Sequence, residues 1–106
     1  LTVDGVVAAR DPHFFPEHGL PHHRPDCLLL WEADEANHVE DVAGFVDAKL
    51  AALLAHESQF ESTMGVAGDD DGSGLASFRQ RVLAKLEDHG ALAGVTLGEA
   101  FHRLGL

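Results

Sequence analysis

A single cysteine, a single tryptophan, no tyrosine and only seven Lys and Arg characterise this chain of 106 residues. With Cys27 alone there is no intrachain disulfide, no zinc ribbon and no paired redox motif. A lone thiol fits a reducing compartment, so the expected location is cytoplasmic. Seven cationic residues against eighteen Asp and Glu leave a formal net charge of −11. Without a cluster of Lys and Arg to neutralise phosphates, nucleic acid is not an expected partner. The same charge disfavours an anionic membrane surface. Apolar runs such as Cys27–Trp31 fall far short of the ~20 residues that cross a bilayer. No basic start leading into an apolar stretch marks a signal peptide.

The 45% hydrophobic content is enough for a modest core. Val3, Val6 and Val7 share one face of a short helix over Leu1–Arg10, which Asp11-Pro12 stops because a residue before proline avoids the helical region. His13 to Pro25 is proline- and histidine-rich loop. Cys27–Trp31 is unbroken apolar, which predicts a strand buried on both faces, as in a parallel sheet. A polar loop follows from Glu32 to His38, then Val39–Val42, too short to classify. Val42, Phe45, Val46, Leu50, Leu53 and Leu54 repeat at helical spacing and predict the main helix over Ala43–Phe60. Lys49, His56 and Gln59 fall on one edge of that helix, where hydrogen bonding to neighbouring backbone would be their role. Glu61 to Gly74 is loop, Ser73 a helix N-cap, Leu75–His89 a second helix and Gly90 its stop. The tail, Val95–Leu97 and Glu99–Leu104, has a weak signal for one or two short strands.

Few residues carry obvious chemistry. His13, His18, His22 and His23 lie close in sequence, but prolines between them and the lack of a helical pair make solvated loop histidines the default. Asp69, Asp71, Ser73 and Gly74 imitate the start of a calcium loop, yet Gln80 stands where the bidentate Glu belongs. No nucleophile elbow and no phosphate-binding glycine loop occurs, and Cys27 sits within an apolar strand where a thiol is inert. The richest stretch is Trp31–His38, with three carboxylates, an amide and an imidazole after the C-terminal end of a strand, where open α/β sheets place their ligands.

Several segments resemble the C-terminal half of the PIG-L/LmbE deacetylases. They are Ala8–Phe15, Leu29–Trp31 leading into Asp34-Glu35-Ala36-Asn37-His38, Lys49–Leu54 continuing to His56-Glu57-Ser58-Gln59, and Gly98–Leu104. Ala36 departs from the proline common at its position. The resemblance covers nearly the whole chain in order. It implies an α/β fold, the C-terminal portion of a Rossmann-like three-layer sandwich with two main helices and about three short strands. Residues 1–106 would be one partial domain. It also implies a zinc-dependent hydrolase that removes N-acetyl groups from N-acetylglucosamine-type sugars. That family's metal ligands lie in an Ala-His-Pro-Asp-Asp-Glu segment and a His-x-Asp-His segment. Neither occurs here. Zinc would therefore be held by residues outside this chain, which alone would be inactive.

Three expectations follow. The chain should leave sheet edge and apolar surface exposed, to be covered by a missing N-terminal half or by another copy of itself. His38, His102 and Asp34 are the candidate substrate-binding residues, His38 because it ends the loop after the strand and His102 because a terminal strand could carry it to the cleft. The rival reading is a non-catalytic acidic interaction module binding a divalent ion at Asp69–Gly74.

Overall fold

A computed structural model describes residues 1–106. Helix α1 spans Thr2–Arg10, strand β1 Cys27–Trp31, strand β2 His38–Asp41, helix α2 Val46–Leu54, helix α3 Ser73–Ala91 and strand β3 Gly98–Gly105. The α/β class and the three strands agree with the sequence reading.

The sheet itself differs. Its order is β1-β3-β2 and both pairings are antiparallel, so β1 is an edge strand and not the inner strand of a parallel sheet. An apolar run encodes how much of a strand's surface is covered, not its place in the sheet. Leu28, Leu29 and Leu30 are half-buried, while Trp31 is 74% exposed. The weak tail becomes the centre: β3 is an eight-residue strand flanked on both sides. Its pairing energy comes from backbone partners about 60 or more residues away in sequence, a signal no local window contains.

The predicted helix over Ala43–Phe60 breaks into a 3-10 turn at Ala43–Phe45, α2 at Val46–Leu54, a second 3-10 turn at Glu57–Gln59 and a π-turn at Phe60–Met64. After Leu54 the polar run His56-Glu57-Ser58-Gln59 offers no apolar side chain at helical spacing to hold another turn on the core. Gln59 is consequently exposed, accepting a 3.0 Å hydrogen bond from the Thr63 hydroxyl, and the Lys49–His56–Gln59 edge does not exist. Leu50, Met64, Val66 and Phe78 form the buried core, with Val46, Leu53, Leu54, Phe60 and Val82 packed against it. That core lies between α2, the π-turn and α3.

Helix α3 joins this core to the sheet. Gly90, expected to end the helix, instead lies within it and presses on the start of β3. A Cβ at Gly90 would come within 2.5 Å of the Val95 carbonyl, and one at Gly98 within 3.0 Å of Gly90 Cα. Two facing glycines let helix and strand backbones touch. The Ala100 N–H, which lies beyond the end of β1, is taken up by His89 Nδ1 at 3.2 Å. No helix is long and apolar enough to cross a membrane.

Candidate functional site

The loop after β1 crosses the sheet. Trp31 is the last residue paired with β3, and Glu32, at φ 53°, turns the chain out of the ladder. Residues 32–37 pass over β3 and re-enter as β2 on its far side, so β1 and β2 run parallel with β3 between them. Asn37 fixes the landing point. Its backbone N–H donates to the Phe101 carbonyl at 3.0 Å. Its carboxamide accepts from the Arg103 N–H at 2.6 Å and donates to the Arg103 carbonyl at 3.2 Å. One side chain thus replaces a rung of the β2–β3 ladder.

His102 holds the same loop from β3. Its Nδ1 donates to the Glu35 carbonyl at 2.8 Å, which in the neutral ring leaves Nε2 as an acceptor. His38, the first residue of β2, donates from Nε2 to Glu40 Oε1 at 2.5 Å on the same face of the strand. Register decides whether the two histidines can meet. His38 pairs with Phe101, so it shares that residue's face, and His102, next along β3, projects from the other. The sheet places His38 and His102 on opposite faces. Asp34 is exposed in the crossing loop, next to Glu35 in sequence, and takes part in none of these hydrogen bonds.

On the His38 face, beyond Phe101, lies a groove of about 510 Å³ between the sheet, α2 and α3. Trp31, Phe101, Leu53 and Val82 form its apolar walls. Lys49 of α2 pairs with Glu99 of β3 across it, both half-exposed, and Lys85 lies 3.7 Å from Glu32 at the rim. The sequence reading had Lys49 on a helix edge but missed its partner, fifty residues away in a strand with a weak signal.

The acidic loop does other work. Asp70 Oδ1 accepts from the Gly74 N–H at 2.9 Å, and Oδ2 from those of Gly72 at 3.0 Å and Leu75 at 3.4 Å. Asp71 accepts from the Ser73 N–H at 3.0 Å. These carboxylates satisfy the open amides of the α3 N-terminus, with Gly72 and not Ser73 at the cap position. The calcium-loop geometry anticipated from Asp69, Asp71, Ser73 and Gly74 is therefore not adopted. The Ser73 hydroxyl, and then its backbone N–H, hold the Asp71 carboxyl below its ordinary 3.8. A depressed carboxyl stabilises the fold above 3.8 and loses that contribution as pH falls through its folded value. Asp71→Asn should lower the denaturation midpoint at neutral pH, and the difference should vanish in strong acid. A difference that persisted there would mean the ionised form is not what the cap uses.

No three His, Cys, Asp or Glu side chains converge to hold a metal ion anywhere in the chain. His13, His18, His22 and His23 are all exposed. The residues present do not fit a zinc centre, and no catalytic step through zinc can be built on them.

No family model matches the chain, and no curated protein matches it. Among solved structures it is similar to an N,N'-diacetylchitobiose deacetylase from Pyrococcus horikoshii, complexed with its inhibitor MPG. The TM-score is 0.64, with 22% identity over 98% of this chain. The match takes in 37% of that deacetylase's chain, so this chain spans little more than a third of its neighbour's length. The likeness is one of fold.

Proposed function

We propose that this chain is the C-terminal part of a zinc-dependent deacetylase of N-acetylated sugars, with its metal ligands and general base on polypeptide outside residues 1–106. The observation that supports this most is the fold match, which runs through nearly the whole chain but takes in only 37% of the deacetylase. The segments quoted for the PIG-L/LmbE resemblance fall on the end of α1 and the turn after it, on β1, on the crossing loop, on α2 and the 3-10 turn after it, and on β3. The location proposed is cytoplasmic.

In this reading the chain contributes a wall of the substrate cleft. His38 and Asp34, at the landing and the middle of the crossing loop, are the proposed substrate contacts. His102 acts through the loop it anchors.

The test is acetate release from N,N'-diacetylchitobiose with zinc present. The chain alone should release none. A chimera in which it replaces the matching 37% of the deacetylase should release acetate. In that chimera, His38→Ala should lower kcat/KM by ~10-fold with zinc content unchanged. Turnover by the isolated chain, or a folded, zinc-loaded but inactive chimera, overturns the proposal. Loss of zinc in His38→Ala would instead assign that histidine to the metal.

A further inference from the structure

We propose that the groove between the sheet, α2 and α3 binds a small aromatic carboxylate. The ring lies against Trp31 and Phe101, and the carboxylate is held between Lys85 and His89. This goes beyond the deacetylase reading and does not rest on it. None of these four side chains belongs to the proposed sugar contacts.

The apolar wall comes from register. Trp31 and Phe101 are direct partners across β1 and β3, so they share one face with Cβ atoms about 5 Å apart. Side by side, two aromatic side chains offer a surface on which a third ring packs offset or edge-on. Trp31 is the chain's only tryptophan and is 74% exposed, so the outer part of that surface meets water. The groove holds about 510 Å³. Small-molecule sites typically run to ~300–1,000 Å³, so a bicyclic acid fits.

The polar end comes from α3. Lys49 and Lys85 are the only lysines in a chain of net charge −11, and both line this groove. Lys49 is committed to Glu99. Lys85 is not. Its ion-pair partner, Glu32, stands 3.7 Å away at the rim, too far for a hydrogen bond. Both groups are more than half exposed, where such a pair contributes little. His89 lies one turn further along α3, on the same helix face as Lys85. Its Nδ1 lone pair accepts the Ala100 N–H, so the ring proton is on Nε2, which can only donate.

These donors select the occupant. An ammonium with open N–H groups and an imidazole N–H one turn away form a fork for a carboxylate, one donor to each oxygen. An amine finds less. Glu99 is already taken by Lys49, so only Glu32 is left to accept from it. A neutral arene leaves both donors unused. The fold also sets the donor in advance, because the β3 amide that fixes the His89 tautomer is in place before any ligand arrives.

The probe is β-naphthoate, titrated into the chain by calorimetry beside its neutral isostere β-naphthylmethanol. Naphthoate should bind at least ~10-fold tighter than the alcohol. Lys85→Gln should remove most of that preference and leave the alcohol's affinity unchanged, while Lys85→Arg should keep it. Trp31→Ala should weaken both ligands ~10-fold or more. Should that variant fail to fold, Overhauser contacts between naphthyl protons and the Trp31 indole in the unaltered chain decide the same point. Equal affinity for acid and alcohol overturns the proposal, since a merely apolar surface would give that. So does a preference that survives Lys85→Gln, or no binding of naphthoate at all. Displacement of naphthoate by N,N'-diacetylchitobiose would assign the groove to the sugar and overturn it as well. Because the readout is binding of an acid and not acetate release, this test and the chimera can fail separately.

Discussion

Gly90→Ala should lower the stability of the chain by about 2 kcal/mol, a fall of roughly 10 °C in melting temperature for a domain of this size. Two effects oppose each other. Alanine within α3 returns about 1 kcal/mol of helix propensity. Its methyl group, however, would lie 2.5 Å from the Val95 carbonyl and 3.1 Å from the Leu97 and Gly98 amide nitrogens. All three are backbone atoms, so relief requires α3 to lift from β3, and overpacking of that kind costs about 3 kcal/mol. The steric term wins. Gly5→Ala in α1 is the matched control, since nothing lies within 4 Å of its Cβ. There the propensity term stands alone and stability should rise slightly. A Gly90→Ala chain melting with the wild type would mean that helix and strand are not seated as described.

Asp70→Ala should cost about 2 kcal/mol, the upper end for a helix cap. One carboxylate accepts from the amides of Gly72, Gly74 and Leu75, and its removal leaves three donors at the start of a 19-residue helix without that acceptor. Gly74 permits the approach, since a Cβ there would stand 2.7 Å from Asp70 Oδ1. Asp70→Asn keeps one acceptor oxygen and should retain part of the stability. Asp69→Ala should cost little. Hydrogen exchange at the Gly74 and Leu75 amides separates fraying of the first turn from global loss. Protection unchanged in Asp70→Ala would mean another group caps the helix.

What the sequence disclosed and what it concealed divide along the range of the interactions. Helix α3 was legible to within two residues because Phe78, Val82 and Leu86 repeat locally. Strand β1 was legible as a strand because five apolar residues in a row between polar ones have few other uses. Its edge position was not, because rank in a sheet depends on a partner more than seventy residues away. Helix α2 was overextended because the reading carried it to Phe60, past the apolar stripe that ends at Leu54. Phe60 reaches the same core from a π-turn. At the site, the crossing loop stood out by its density of polar groups, with His38 at its end, and His102 was picked from its place in the tail. That the two histidines project from opposite faces follows from a one-residue offset against Phe101, which only the register reveals. The acid cluster misled in the other direction. Its Asp, Ser and Gly spacing imitates a calcium loop, while the backbone amides of α3 had the prior claim on its oxygens.

The position of β3 also sets an order on assembly. The strand that β1 and β2 both need follows them in sequence, at residues 98–105, and β1 lies about seventy residues upstream. During synthesis from the N-terminus neither earlier strand has its β3 partner until residues 98–105 have emerged. Helices α2 and α3, whose contacts are nearer in sequence, can gather their core beforehand. Closure of the sheet is then a single late event across a long loop, slow for its size because the entropy of that loop is lost before any rung forms. Synthesis halted before residue 98 would leave the apolar Cys27–Trp31 segment without its β3 partner, a nascent chain suited to capture by a chaperone.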